Sequence, residues 1–210
     1  YSYTIHKLKN PLQPGDSIKM SFRQSHITKG FSGSKSNTDI VKNGTFFKNE
    51  DFPTIGYSKK YELQDTKERS AYQLPKRVNK ASIDDVNELQ NARSGSDSDG
   101  IRFDMVIGTA KDQTAIVPGK LIKQWKENDR AYFHYKMNQK IINFYAIVSA
   151  RYEIQKDVWI PKSGISRQSV ELEIYHHKNH QYNLDRMMKS MKASFDYYST
   201  NFSPYQYKQM

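Results

Sequence analysis

The chain has 210 residues, a formal net charge of +11 and no cysteine. A chain of this length can form one large β domain, or one domain with a short extension, and either can bury a full core. The missing cysteines exclude disulfides, thiolate metal sites and a cysteine nucleophile. The positive charge is spread out, with no run of Lys or Arg longer than two. This distribution disfavours a nucleic-acid-binding arm or recognition helix.

Alternation of apolar and polar residues predicts strands along much of the chain. The first is at 17–23, where Ile18, Met20 and Phe22 share one face. Further strands are predicted at 101–107, 131–137, 143–154 and 170–175. We expect at least six strands in total, mostly half-buried and antiparallel.

Turn residues separate these strands. They occur at Pro14–Gly15, Asn43–Gly44, Pro118–Gly119, 127–129 and Ser163–Gly164, and such pairs favour tight reversals of the chain. Asn43 also begins a glycosylation sequon, but Asn-Gly is an ordinary hairpin turn, so we assign it to a turn. The spacing predicts a mainly β fold, an antiparallel β-sandwich or curved sheets, with one C-terminal α-helix.

The region near residues 58–100 differs from the rest in composition. Charged residues, Gln, Asn and Ser are frequent there, which is typical of a mobile polar insertion. Within it, 94–100 is predicted to be a loop, and 82–93 a short helix capped by Ser82.

The strongest helical pattern lies at 183–200. Asn183 can cap this helix, and a stripe of apolar side chains follows at helical spacing: Leu184, Met187, Met188, Met191, Phe195 and Tyr198. Because such a stripe needs a partner surface, we expect the helix either to dock back on the sheet or to mediate a dimer. The aromatic segment at 197–207 indicates that the chain leads into a further domain. We therefore divide the chain into a β domain at 1–180 and the first helix and lead-in of another domain at 181–210.

Three nearby histidines form the most site-like cluster, at His176, His177 and His180. Two histidines four residues apart on a helix can share a metal ion. This cluster lies instead at a strand end before the helix cap, and it lacks the glutamate of an H-E-x-x-H motif. A solvated turn is the favoured interpretation.

Other residues that could carry chemistry also favour a structural role. The carboxylate pairs at 84–85 and 97–99 lack the spacing of a calcium loop. No nucleophile elbow or phosphate-binding glycine loop occurs in the sequence. The abundant aromatic residues could form a carbohydrate-binding or single-strand-binding face, but they favour core packing. We predict no catalytic, cofactor-binding or metal-binding residue, and no enzymatic activity of this chain by itself.

Three segments in the middle of the chain resemble one known family. They are Ala115–Leu121, Tyr132–Met137 and Ile142–Tyr152. In this order and spacing they are similar to the amino-terminal β domain of the aminopeptidase N family of zinc peptidases.

Further segments resemble one subgroup of that family, in which a peptidase-like region is fused to a bacterial ABC-type permease. They are Asn43–Phe47, Phe52–Tyr57, Tyr182–Met187 and Asn201–Gln206. The resemblance covers nearly the whole chain, and its motifs are structural.

The resemblance implies a saddle-like β domain that packs against a thermolysin-like domain and closes one side of its active-site cleft. Zinc belongs to that second domain, which is expected to pack on the helix at 183–200. Catalytic relatives place a glutamine or glutamate of the β domain near the substrate amine. The corresponding region, Phe52–Leu63, does not match that motif, so no substrate-binding residue is carried over.

These expectations lead to two main hypotheses of function. The first is a noncatalytic β domain that shapes a peptide cleft in a bacterial, permease-fused, aminopeptidase-like protein of the cell envelope, on the extracytoplasmic side of the inner membrane. The alternative is an extracytoplasmic module that binds a peptide or partner for an ABC-type permease, without peptidase activity. Under both hypotheses the chain is associated with a membrane only through its parent protein, and it does not bind nucleic acid. A third possibility, a basic β-sheet protein that binds nucleic acid, rests on the pI of about 9.5.

Overall fold

A computed structural model describes residues 5–27, 39–53, 62–77, 82, 84–87, 100–162, 164 and 168–210. The chain forms two compact units. The first comprises Tyr1–Ile27 and Phe52–Ser98, and the second comprises Thr28–Asp51 and Asp99–Met210. Most of the predicted helix at 82–93 and of the predicted loop at 94–100 lies outside the described residues.

The described part of the first unit contains a turn and a short helix. The predicted turn at Pro14–Gly15 is present, and the amide of Asp16 donates to the carbonyl of Gln13 at 2.9 Å. Helix α1 spans Thr66–Ala71 and was not predicted. The side chain of Asp65 caps it by accepting from the amides of the second and third helical residues at 2.8 and 3.0 Å.

The strand predicted at 17–23 is wrong. These residues are described, but they are exposed and form no strand. Alternation creates an apolar face, whereas a strand also needs a neighbour that accepts and donates its backbone hydrogen bonds. Ile18, Met20 and Phe22 have no such neighbour in the part of the chain that the structure describes.

In the described part of the second unit, nine strands form three sheets whose paired strands are all antiparallel. The first sheet has the order β1 (Ile40–Val41), β2 (Gly44–Lys48), β7 (Ala146–Ala150) and β4 (Thr114–Ile116). The second has the order β3 (Asp104–Ala110), β6 (Arg130–Lys136) and β5 (Lys120–Glu127). The third pairs β8 (Tyr152–Trp159) with β9 (Val170–His177).

The predicted turns join these strands. The β1–β2 hairpin turn lies one residue earlier than predicted, since Lys42 and Asn43 form it and Gly44 begins β2. Pro118–Gly119 forms the bend before β5. Asn128 and Asp129 connect β5 to β6 with φ angles of 46° and 64°, the left-handed values that a tight hairpin turn requires. The turn at Ser163–Gly164 is described at Gly164 alone.

Strand boundaries differ from the prediction in two places. The predicted strand at 143–154 is divided at Arg151 into β7 and β8, which belong to different sheets. Strand β5 was not predicted, because nearly all its side chains are exposed and its sequence shows no apolar face.

Two hydrophobic clusters hold the second unit together. The first contains buried side chains from β4, the residue after β4, β6 and the residue before β3: Phe103, Ala115, Val117, Ala131, Phe133 and Tyr135. The second contains side chains from β8, β9 and helix α2 (Leu184–Asn201): Trp159, Val170, Leu172, Ile174, Met188 and Phe195. The prediction of a mainly β fold with antiparallel sheets and one long C-terminal helix is confirmed.

Helix α2 docks on the β8–β9 sheet, which is one of the two outcomes expected from its apolar stripe. The ring of Phe195 stacks on Trp159 with centroids 5.1 Å apart. The indole nitrogen of Trp159 donates to Asp196 at 2.9 Å, so this buried polar group is satisfied. Lys192 forms an ion pair with Asp157 at 2.6 Å.

The helix begins differently from the prediction. Asn183 stands at the N-cap, but its side chain makes no capping hydrogen bond. Its backbone is left-handed, with φ 65° and ψ 4°, whereas a capping side chain normally requires an extended N-cap residue. The carbonyl of Asn183 still accepts from the amide of Met187 at 2.8 Å. Within the described ranges, no helix has the length and apolar character needed to cross a membrane.

The close pairing of β2 and β7 gives a prediction for Gly44. A Cβ atom there would lie 2.1 Å from the backbone oxygen of Ser149 and 2.8 Å from the Cβ of Ala150. We expect Gly44→Ala to lower the free energy of unfolding by about 1–3 kcal/mol, the usual effect of overpacking. Urea denaturation measures this change. Thr45→Ala is the matched control in the same strand, and an equal or larger loss in the control would contradict the explanation.

The docking of helix α2 gives a second prediction. Phe195 is 7% exposed and Tyr197 is 59% exposed. We therefore expect Phe195→Ala to cost about 3–5 kcal/mol of stability, as for other buried aromatic residues, while Tyr197→Ala has little effect. Equal urea midpoints for the two variants would show that the helix does not dock through Phe195.

Candidate functional site

One cavity of the second unit, about 820 Å³ in volume, is a groove. We call it the β9 groove. It is lined by residues of β5, β6, β8, β9 and the segment at 205–210. Its volume is in the range of pockets that hold small ligands or short peptide segments.

The segment at 208–210 forms one wall by running parallel to β9. The amide of Glu171 donates to the carbonyl of Lys208, and the amide of Met210 donates to the carbonyl of Glu171, both at 2.9 Å. The side-chain amide of Gln209 donates to the carbonyl of Gly119 in the bend before β5. These bonds connect β9 to the second sheet.

Gly119 allows the bend to approach β6 closely. Its φ of +112° is in the left-handed region, and a Cβ atom there would lie 2.7 Å from the carbonyl carbon of Lys136. A side chain would therefore be strained and would also collide with the neighbouring strand. The predicted turn at Pro118–Gly119 thus lies close against β6 where it lines the groove.

A polar network crosses the groove. Lys156 of β8 donates to one carboxylate oxygen of Glu173 on β9 at 2.5 Å. The hydroxyl of Tyr175 donates to the other oxygen at 2.5 Å. The hydroxyl of Tyr135, on β6, donates to the carbonyl of Ala115 at 2.9 Å. Lys156 and Glu173 meet because they are directly opposed in the β8–β9 register.

Burial and hydrogen bonding together shift the pKa of each acidic group in the network. Burial raises the pKa of the Tyr135 hydroxyl. Burial and the hydrogen bond to Glu173 both raise the pKa of Tyr175. Burial alone would raise the pKa of Glu173, but hydrogen bonds from Lys156 and Tyr175 outweigh it and hold this pKa below its usual value. At neutral pH the network therefore contains neutral tyrosines beside an ionised glutamate.

The groove has an excess of positive charge. Four lysines and two glutamates are among its lining residues: Lys120, Lys136, Lys156, Lys208, Glu171 and Glu173. Lys120 lies 3.8 Å from Glu171. Lys136 lies 3.1 Å from Asp104, whose pKa is lowered by hydrogen bonds from His134 and Lys136.

Apolar side chains form another part of the groove lining. Leu121, Met137 and Phe144 belong to it, and Phe144 is 70% exposed. The groove therefore presents an apolar surface beside a basic one. This combination suits a ligand that has both apolar and anionic groups.

A second cavity, of about 660 Å³, lies at the beginning of helix α2. The side chain of Gln155 donates to Asp185 at 3.0 Å across it, and Gln181 donates to Glu153 at 3.4 Å. Its lining consists mostly of carboxylates, amides and basic side chains. We therefore regard it as a polar contact region between β8 and the helix.

The histidine cluster lies at the strand end, as predicted. His176 and His177 end β9, and His180 is in the turn that follows. The rings of His177 and His180 are 5.5 Å apart at their centroids. Across the described ranges, no three His, Asp or Glu side chains are grouped so that they could hold a metal ion. The described residues thus offer no donor set for zinc.

The residues of the β9 groove were missed in the sequence. The alternation at 170–175 placed Glu171, Glu173 and Tyr175 on one face, and that part of the signal was available. The residues that oppose this face come from β6, β8 and the segment at 205–210. Sequence patterns do not show which distant segments meet.

No protein-family model matches the chain, and no curated protein matches it. Solved structures of M1 zinc metallopeptidases are similar to part of it. A mutant of a two-domain M1 zinc metallopeptidase bound to L-tryptophan has 12% identity and a TM-score of 0.46, over 53% of this chain and 26% of that one. A mutant from Deinococcus radiodurans bound to a Tyr-Ser-Ala substrate has 13% identity and a TM-score of 0.45, over 53% and 26%.

A third structure, an M1 zinc metallopeptidase from the same organism, has 13% identity and a TM-score of 0.40, over 53% of this chain and 25% of that one. The matched region thus spans about a quarter of each of these proteins. At these identities and TM-scores the likeness assigns neither a family nor an activity to this chain.

The lowered pKa of Glu173 gives a prediction for acid stability. Because the pKa of Glu173 in the folded state is below its ordinary value, the ionised carboxylate stabilises the fold at pH values above that ordinary value. This stability is lost as the pH falls through the folded-state pKa. We expect the difference in unfolding free energy between pH 7 and about pH 3 to be smaller in Glu173→Gln than in the unmodified chain.

Urea denaturation at the two pH values tests this prediction. The matched control is Glu127→Gln at the exposed end of β5, which should leave the difference unchanged. If Glu173→Gln has the same difference as the unmodified chain, the hydrogen bonds from Lys156 and Tyr175 do not stabilise the ionised carboxylate.

Proposed function

We propose that this chain is a noncatalytic β domain of an aminopeptidase N-like region, and that it forms one wall of a peptide cleft and packs against a further domain through helix α2. The parent is a bacterial, permease-fused protein of the cell envelope, and zinc is held by the further domain. The resemblance of Ala115–Leu121, Tyr132–Met137 and Ile142–Tyr152 to that family supports this proposal. These segments contribute β4, the bend at Gly119, β6 and β7 of the second unit.

The observation that carries the proposal is the exposed side of helix α2. The helix buries Met188 and Phe195 against its own sheet, but Tyr198 and Phe202 remain 59% and 73% exposed. The rings of these two residues are 5.7 Å apart, and Tyr197 lies 5.4 Å from Tyr198. Exposed aromatic clusters of this kind are typical of surfaces that another domain covers.

Met187 extends the exposed surface along the helix. It lies eleven residues before Tyr198, which is about three turns at 3.6 residues per turn, so the two side chains are on nearly the same side. Met187 is also exposed. The docked helix therefore still has an apolar surface available, and this is where we place the further domain.

A second candidate function is favoured by the β9 groove. A basic and apolar groove would also suit a module that binds a peptide or partner for an ABC-type permease without any peptidase activity. The sequence of the parent protein distinguishes the two candidate functions. An intact H-E-x-x-H motif with a downstream glutamate beyond Met210 would favour the first candidate, and substitution of these zinc ligands would favour the second.

The proposal predicts how the purified chain behaves in a peptidase assay. We expect no release of amino acids from aminoacyl or peptide substrates, with or without added zinc, because the residues that carry this chemistry belong to the further domain. The proposal would be contradicted if the chain released amino acids in a zinc-dependent way and a single substitution in it abolished this release.

The exposed aromatic surface gives a separate test in the parent protein. Tyr198→Ser should weaken the packing between this chain and the further domain, so proteolysis should separate them more readily. Tyr72→Ser, an exposed tyrosine of the first unit, is the matched control. Equal resistance of both variants and the unmodified protein would show that helix α2 is not the interface.

A further inference from the structure

We infer that the β9 groove binds a short extended peptide that carries both acidic and large apolar side chains. This inference rests on the proposed peptide cleft and specifies its ligand. It depends on the charge balance of the groove, on its apolar side and on its size.

The charge balance selects for anionic groups. The four lysines of the groove exceed its two glutamates, and both glutamates already have lysine partners within the groove. An acidic side chain that entered would therefore meet Lys208, which has no ion-pair partner among the described residues that line the groove, and Lys136, whose partner Asp104 lies outside that lining. A basic side chain would meet like charges, which disfavours it.

The apolar side selects for large side chains. Phe144 is largely exposed beside Leu121 and Met137, so a ligand that covers it removes apolar surface from water. Burial of such surface contributes about 25 cal/mol per Å². The basic and apolar parts together therefore favour a peptide in which acidic and apolar residues are combined.

The network in the groove also restricts the ligand. Tyr175 and Lys156 are engaged with Glu173, and Tyr135 is engaged with Ala115. These three side chains are therefore already engaged within the protein. The charged contacts with the ligand are left to Lys136 and Lys208 at the sides.

Fluorescence anisotropy with labelled synthetic peptides tests this inference on the complete chain. The probe is a short peptide of alternating Glu and Phe, and its two comparison peptides have Gln or Lys in place of Glu. We expect the Glu peptide to bind roughly tenfold more tightly than the Gln peptide, a difference that corresponds to about 1.4 kcal/mol. Its affinity should fall as the salt concentration rises.

Substitutions in the groove locate the binding site. Lys208→Gln and Lys136→Gln should each weaken the Glu peptide by about three- to tenfold. Lys208→Glu should weaken the Glu peptide and strengthen the Lys peptide, a reversal that a merely structural effect would not produce. The matched control is Lys123→Gln on β5, whose side chain is not among the lining residues of the groove.

The outcomes separate this inference from the proposed function. Equal binding of the Glu and Gln peptides, with no effect of the lysine variants, overturns the inference and leaves the cleft proposal standing. Absence of binding by all three peptides overturns the inference and also argues against a cleft in this chain. Acidic-peptide binding by a chain that also shows zinc-dependent peptidase activity supports the inference and overturns the noncatalytic proposal.

Discussion

The two faces of strand β9 are the constraint on which the rest of the second unit depends. Val170, Leu172 and Ile174 point to one face and are buried with helix α2. Glu171, Glu173 and Tyr175 alternate with them and line the β9 groove. Because successive side chains of a strand point to opposite faces, a shift in register by one residue would exchange these two sets. The helix contact and the groove are therefore fixed by the same backbone register.

Parts of this arrangement follow directly from the sequence. Alternation placed Ala131, Phe133 and Tyr135 on one face of β6, and the structure buries all three. The predicted apolar stripe of α2 was right for Met188 and Phe195, which are buried, whereas Met187 and Tyr198 of the same stripe are 49% and 59% exposed. These signals are local, since each depends on residues within one element. That is why the element types of β6, β9 and α2 were predicted well.

Other parts could not be predicted, because they depend on distant residues. Ile18, Met20 and Phe22 alternate as clearly as the residues of β6, yet they form no strand, since alternation does not supply a pairing partner. The division of 143–154 at Arg151 has a similar origin. Arg151 forms an ion pair with Asp112 at 2.5 Å and donates to the carbonyl of Lys42 at 3.0 Å, and both partners are far away in the sequence.

The candidate groove was still harder to predict than the fold. The ion pair between Lys156 and Glu173 requires the β8–β9 register, in which these residues are directly opposed. The hydrogen bond between Gln209 and Gly119 connects segments that are 90 residues apart. The individual residue types did not indicate a groove, because lysines, glutamates and tyrosines are common on strands. These residues come together only through the way the strands are connected and paired.

The position of the β8–β9 sheet also links the two proposed interactions. Two strands alone are marginally stable in water, so this sheet depends on the elements that cover it. Helix α2 packs on one face through Phe195, and the network around Glu173 lies on the other. A ligand in the groove would stabilise the sheet according to its concentration relative to its dissociation constant. The exposed side of helix α2 and the groove do not share residues, so the proposed packing of a further domain and the proposed binding of a peptide use different surfaces of the second unit.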